Sequence, residues 1–168
     1  MTRRASISVL LQDFIENDLR LTNTHVGDCG AIVDPIAWGK VKKKWVWRKD
    51  NPFLPAGGIA SSVEDLMRMA QIVLEGQAEY AKQASLLCPE SFHPKRKTMT
   101  TYSFHTYHRS HQLWHMGGVG PFRSGIFLNT NRNIAVAVLT NAKGKHHTNP
   151  FHICKVIYGR LKRKKKLW

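Results

Sequence analysis

Acidic side chains are missing from a long stretch of this chain: no Asp or Glu stands between His93 and Trp168. Four of the seven histidines in that stretch, His105, His108, His111 and His115, lie close together, and of these only His111 and His115 keep the one-turn spacing of a helical ligand pair. Without a carboxylate or a nearby thiol to complete a ligand set, no specific metal site is expected, and no cofactor. Cysteine is scarce too. Cys29, Cys88 and Cys154 are odd in number and widely spaced, which excludes a C-x-x-C pair and a disulfide framework and leaves the compartment open. Long apolar runs are absent: the longest, about six residues, fall far short of the roughly twenty needed to cross a bilayer, so no transmembrane segment is expected. Ile7-Ser8-Val9-Leu10-Leu11 is too short for a signal peptide and runs into Asp13 and Glu16. Cytoplasm is therefore the default expectation, and nothing in the sequence fixes it.

Positive charge is plentiful. The 168 residues carry 26 Lys and Arg against 11 Asp and Glu, a formal net charge of +15. Such a balance attracts anionic partners, nucleic acid or acidic lipid, although it also occurs on proteins that bind neither. The densest run is Arg160, Lys162, Arg163, Lys164, Lys165 and Lys166, with Lys155 one turn earlier. It reads either as a solvated helix terminus favoured by the helix dipole or as an anionic contact. Trp38, Trp45 and Trp47 among lysines fit base stacking or the edge of a core.

Hydrophobic periodicity predicts a helix over Ser8–Leu21. It predicts a second from Ser61 or Ser62, with Ser61 and Glu64 as a capping box, Val63, Leu66, Met67, Ala70, Val73 and Leu74 as its buried stripe, and Gly76 as its stop. A weaker helix is expected over Tyr80–Leu87, and a last one over Pro150–Leu161. Trp45-Val46-Trp47 permits a short strand. Pro94–Leu113 reads as polar and irregular. Three antiparallel strands are expected from about Leu113, Ile126 and Ile134, the last two joined by Asn129-Thr130-Asn131-Arg132-Asn133. Ile134–Leu139, apolar on both faces, reads as an interior strand. The fold class is α+β, an antiparallel β-sheet flanked by helices, with residues 1–160 as one domain and 161–168 as a basic tail.

Chemistry and scaffold converge at Trp114-His115-Met116-Gly117-Gly118-Val119-Gly120-Pro121, where a titratable residue meets a glycine-dense turn between strands. His115 taken alone reads first as a satisfied histidine at a strand end.

Four segments in order carry a resemblance. Leu19-Arg20-Leu21-Thr22-Asn23-Thr24-His25, Pro55-Ala56-Gly57-Gly58-Ile59-Ala60-Ser61-Ser62-Val63-Glu64-Asp65-Leu66, His115-x-Gly117-Gly118 and Val138-Leu139-Thr140-Asn141 together resemble the serine β-lactamase-like family. That family includes class C β-lactamases, penicillin-binding proteins and related esterases and D-aminopeptidases. The resemblance implies an incomplete β-lactamase/transpeptidase-like fold, in which His115 and Gly117 line a substrate site and the Gly118 backbone N–H is an oxyanion-hole donor. It also implies three motifs, of which only the strand-borne H-x-G is present. S-x-x-K, which supplies nucleophile and activating lysine, does not occur in the 168 residues, and neither does Y-x-N. Met116 stands where the family usually has Thr, removing a hydroxyl that helps hold a substrate carboxylate.

The function expected is therefore that of a truncated β-lactamase-related serine hydrolase, the C-terminal part of a family member, inactive alone. The alternative is a basic protein binding nucleic acid or an acidic membrane surface. Since the family's sheet is wider, a separate N-terminal chain or a homo-oligomer is expected to cover the incomplete sheet.

Overall fold

A computed structural model describes residues 6–27, 51–76, 79–107, 110–141 and 149–164. The expected Trp45–Trp47 strand, Trp38 and Lys165–Lys166 lie outside the described residues, as does His108.

The chain is α+β. Helix α1 (Ile7–Asp13) starts at Ser6, whose hydroxyl accepts from the Val9 N–H, and then widens into a π-helical turn, Phe14–Asp18. The Leu19 N–H accordingly reaches back five residues to the Phe14 carbonyl. The single long helix expected here is thus shorter and changes pitch. The widening turns Ile15 and Leu19 inward, while Ile7, Val9 and Leu10 remain exposed.

Two short strands, β1 (His25–Val26) and β2 (Ile59–Ala60), pair antiparallel, with the one-turn helix α2 (Leu54–Gly57) between them in the chain. Helix α3 (Val63–Glu75) follows. Ser62 caps it by accepting from the Asp65 N–H at 3.1 Å, so the capping pair is Ser62–Asp65, one residue later than Ser61–Glu64. Gly76 ends α3 in the left-handed conformation, φ 62. The buried stripe also differs from expectation: Val63 and Met67 are exposed, whereas Ala70 and Val73 face the sheet and Met69 and Ile72 face Ile15, Leu19 and Leu21. The reason is that α3 is sandwiched, with the sheet on one side and the N-terminal helical turn on the other.

Helix α4 (Glu79–Ser85) leads into the main sheet, β3 (Leu87–His93), β4 (Thr98–Thr101), β5 (His105–Tyr107), β6 (Gln112–Val119), β7 (Phe122–Asn129) and β8 (Ile134–Thr140), all antiparallel neighbours in sequence order. Among the described residues the main sheet has six strands where three were expected. The segment read as irregular contains β4 and β5, where Met99, Thr101 and Thr106 are buried and their neighbours, on the other face, are less so, with Tyr107 stacked on Trp114; the period of two is carried largely by threonine rather than by aliphatics. A second correction concerns β8. Both its faces are covered, by α3 and by the final helix α5 (Pro150–Lys164), yet among the described residues it stands at the end of the strand order. Its apolar character reflects helices above and below it, not a strand on each side. Leu139 there is 40% exposed.

Alternation along the strands builds two cores. Leu113, Ile126 and Leu128 meet Ala70 and Val73 of α3. Trp114, Phe127, Ile134 and Val136 meet Cys154 and Tyr158 of α5. The layers run from the α1 turn through α3 and the sheet to α5. Helix α5 begins tight against β7: a Cβ on Gly125 would lie 2.8 Å from the Pro150 Cβ and 3.1 Å from its carbonyl carbon. It runs on to Lys164, three residues past the expected Leu161. No described helix is long and apolar enough to cross a membrane.

Candidate active-site wall

The loop before β1 is fastened to α3 by a buried carboxylate. Asp65 accepts from the Asn23 backbone N–H at 2.8 Å and from the Thr24 hydroxyl at 2.7 Å, and Ser61 joins Thr24 at 2.8 Å. Gln12 ties the same loop to α1, since its Oε1 accepts from the Val26 N–H and its Nε2 donates to the Thr24 carbonyl. Helix α2, which follows in the chain, then rests against β6.

The β6–β7 hairpin closes through the two residues Gly120 and Pro121, with Val119 opposite Phe122 and Gln112 opposite Asn129. The Thr130 N–H donates to the His111 carbonyl at 3.0 Å, which marks His111 and Thr130 as a hydrogen-bonded pair. Strict alternation then assigns Leu113, His115, Gly117 and Val119 main-chain bonds to β7. The N–H and C=O groups of Met116 and Gly118 turn the other way. On that side β5 is in register only with Leu113 and Trp114, so among the described residues no strand lies beside His115–Val119. The Gly118 N–H thus points outward from an unpaired edge.

His115 and Gly117 share a sheet face and are two residues apart, roughly 7 Å along the strand. His115 is exposed, and its ring is fixed by two contacts. Nδ1 lies 3.1 Å from the Ser103 carbonyl oxygen, and because a carbonyl only accepts, Nδ1 carries the proton and Nε2 presents a lone pair when the ring is neutral. The His105 ring stacks on it with centroids 6.2 Å apart at 20°, and His105 also stacks on Trp114 at 6.0 Å. Thr101 presents the Ser103 carbonyl: its hydroxyl accepts from the Ser103 and Phe104 N–H groups and locks the β4–β5 turn. At Gly117 an added Cβ would meet the Ser124 Oγ at 2.5 Å, so a side chain there requires that hydroxyl to turn aside.

The arrangement brings together His115, Gly117 and Gly118. It adds Ser103, His105 and Ser124, which sequence reasoning missed; the register of β4 to β7 joins them, and no short motif encodes it. Serine hydroxyls among the described residues bond elsewhere: Ser6 with Ser8, Ser61 with Thr24, Ser62 from the Asp65 N–H, Ser91 to the Cys88 carbonyl and Ser110 from the Gln112 N–H. None of these is a nucleophile paired with a base. Among the described residues no three His, Cys, Asp or Glu side chains converge as a metal site.

An antiparallel sheet layered between helices, with a His-x-Gly-Gly strand in it, defines a class: the α+β fold of the β-lactamase-like proteins. The chain belongs to the Beta-lactamase family, whose profile matches residues 2–153, and its ancestry is that of a hydrolase. Its fold is similar to that of an octameric penicillin-binding protein homologue from Pyrococcus abyssi, with a TM-score of 0.71 at 21% identity over 94% of this chain. The chain spans 38% of the length of that protein. No curated protein matches it.

Proposed function

We propose that this chain carries the strand-borne wall of a serine acyl-hydrolase site and that, as this polypeptide alone, it turns over neither β-lactams nor esters by the family route. One observation carries the reading. His115, Gly117 and the outward Gly118 N–H stand together on β6, while the S-x-x-K and Y-x-N motifs are absent from the 168 residues. Acyl transfer requires a nucleophile within reach of a base, and an oxyanion donor stabilises only a tetrahedral species that such a nucleophile forms. His115 then orients substrate, and the β6 edge holds an acyl group in register. Hydrolysis of a chromogenic cephalosporin and of a nitrophenyl ester tests this, together with intact-mass detection of acylation by a reactive penicillin. No turnover above buffer and no adduct are expected. A stoichiometric adduct on one serine, lost when that serine becomes alanine, overturns the reading.

A partner that covers the β8 edge belongs to the same proposal. Leu139 is exposed there, and an apolar edge strand is a template for pairing. The structural neighbour is itself octameric, which supports a second copy of this chain as one such partner. Light scattering across a concentration series is expected to show association, and a monodisperse monomer at all concentrations contradicts it.

A further inference from the structure

The net charge of this chain resides in one half. Residues 1–90 hold 11 Lys and Arg and 11 Asp and Glu, which cancel; residues 91–168 hold the other 15 Lys and Arg and no acid. The second half comprises the main sheet from within β3 onward and α5. Within α5 the cations do not all serve one purpose. Lys155 Nζ lies 5.4 Å from the centroid of the Phe151 ring, and Lys162 Nζ lies 5.9 Å from that of Tyr158, so both lean back over aromatics of the core. Arg160 and Arg163 are exposed, on a helical row that begins with Val156. Beside that row stands another, Ile157 and Leu161. Val156 is 44% exposed, Ile157 37% and Leu161 38%.

A helix dipole accounts for cations in the last turn of α5, but it gives no reason for three exposed aliphatics interleaved with them. Two ligand classes suit so cationic a face, and the aliphatics separate them. Single-stranded nucleic acid needs exposed aromatic platforms, and the aromatics of α5, Phe151 and Tyr158, are packed in the core. An anionic lipid surface uses both kinds of side chain, the arginines on the headgroups and the aliphatics at the acyl boundary. We propose that the outer face of α5, formed by Val156, Ile157, Arg160, Leu161 and Arg163, docks on anionic phospholipid. The proposal is independent of the hydrolase reading, since none of these residues belongs to the β6 site.

Vesicle flotation of the full chain tests it, with phosphatidylcholine vesicles against phosphatidylcholine–phosphatidylserine vesicles, and polyuridylate binding followed in parallel. Binding is expected on the phosphatidylserine vesicles and not on phosphatidylcholine alone. Arg160→Gln with Arg163→Gln is expected to weaken it roughly thirtyfold, the effect typical of two cations at a charged surface. Ile157→Ser with Leu161→Ser is expected to weaken it roughly tenfold or more. Thermal unfolding by circular dichroism is expected to stay at the wild-type midpoint for the exposed arginine pair and to fall by a few degrees for the serine pair, since Ile157 and Leu161 are partly covered, so binding is read well below both midpoints. Equal binding to both vesicle types overturns the proposal. So does polyuridylate binding that depends on the arginines while the serine variant is unaffected, which identifies a nucleic-acid surface. Oligomers that bind neither vesicle place a second copy on this face and overturn it as well.

Discussion

Replacing Gly125 with alanine tests the junction on which the sheet and α5 depend. A Cβ at Gly125 meets the Pro150 Cβ at 2.8 Å, the Pro150 carbonyl carbon at 3.1 Å and the Phe151 nitrogen at 3.2 Å. Two of these three are backbone atoms of the first turn of α5, so no rotamer change relieves the contact. The helix must lift from β7, and with it Cys154 and Tyr158 from the core they share with Phe127. Overpacking of this kind costs about 1–3 kcal/mol, while the alanine returns about 0.4–1 kcal/mol by restricting the unfolded chain. The net expectation is a loss of about 1–2 kcal/mol, or a drop in Tm of roughly 2–8 °C for a chain of this size. Gly159→Ala is the control, because nothing lies within 4 Å of the added methyl and the site is helical. It should stabilise by about 0.5–1 kcal/mol. Urea unfolding followed by tryptophan fluorescence and circular dichroism measures both. Gly125→Ala at or above wild-type stability, with an unchanged m-value, refutes the reasoning, because the helix then does not sit where that methyl would be.

Two further outcomes follow from buried groups. Asp65→Ala removes the acceptor of the Asn23 N–H and of the buried Thr24 hydroxyl, and should cost about 2–4 kcal/mol in urea unfolding, against less than 1 kcal/mol for the exposed Glu64→Ala; equal effects would show that the loop is not held there. Burial pushes the Cys154 thiol up from 9.0 to about 11, against a smaller opposing effect from its backbone hydrogen bond. Folding therefore favours the protonated form; this contribution to stability is complete below about pH 9 and is lost as pH rises through about 11. In alkylation followed by peptide mass spectrometry at pH 8, Cys154 should stay unmodified until denaturant is added, whereas the half-buried Cys88 reacts without it.

The elements legible in the sequence are those whose signals are local. Ser62 and Gly76 bound α3 through contacts with their own neighbours, and the Asn129–Asn133 turn joins two plainly apolar strands. β4 and β5 were not legible, because Thr98-Met99-Thr100-Thr101 and His105-Thr106-Tyr107 bury hydroxyl-bearing side chains that read as polar. The π-helical turn was hidden too, since its widening serves Ile15 and Leu19 against Met69 and Ile72, some fifty residues away. At the site, His115, Gly117 and Gly118 were visible as a motif. The Ser103 carbonyl that sets the His115 tautomer was not, because a carbonyl has no sequence signature and the hairpin register alone delivers it.

The close approach of Ser124 to Gly117 bears on how such a motif persists through mutational drift. Any larger residue at 117 must displace a neighbour in the β6–β7 hairpin, whether or not the chain hydrolyses anything. Folding alone therefore favours glycine at 117 only as far as the Ser124 hydroxyl resists turning aside, a weak bias that outlasts the pressure of a substrate. Gly117 is weak testimony for surviving catalysis. His115, exposed and replaceable without a steric penalty, is the position where relaxed selection would show first.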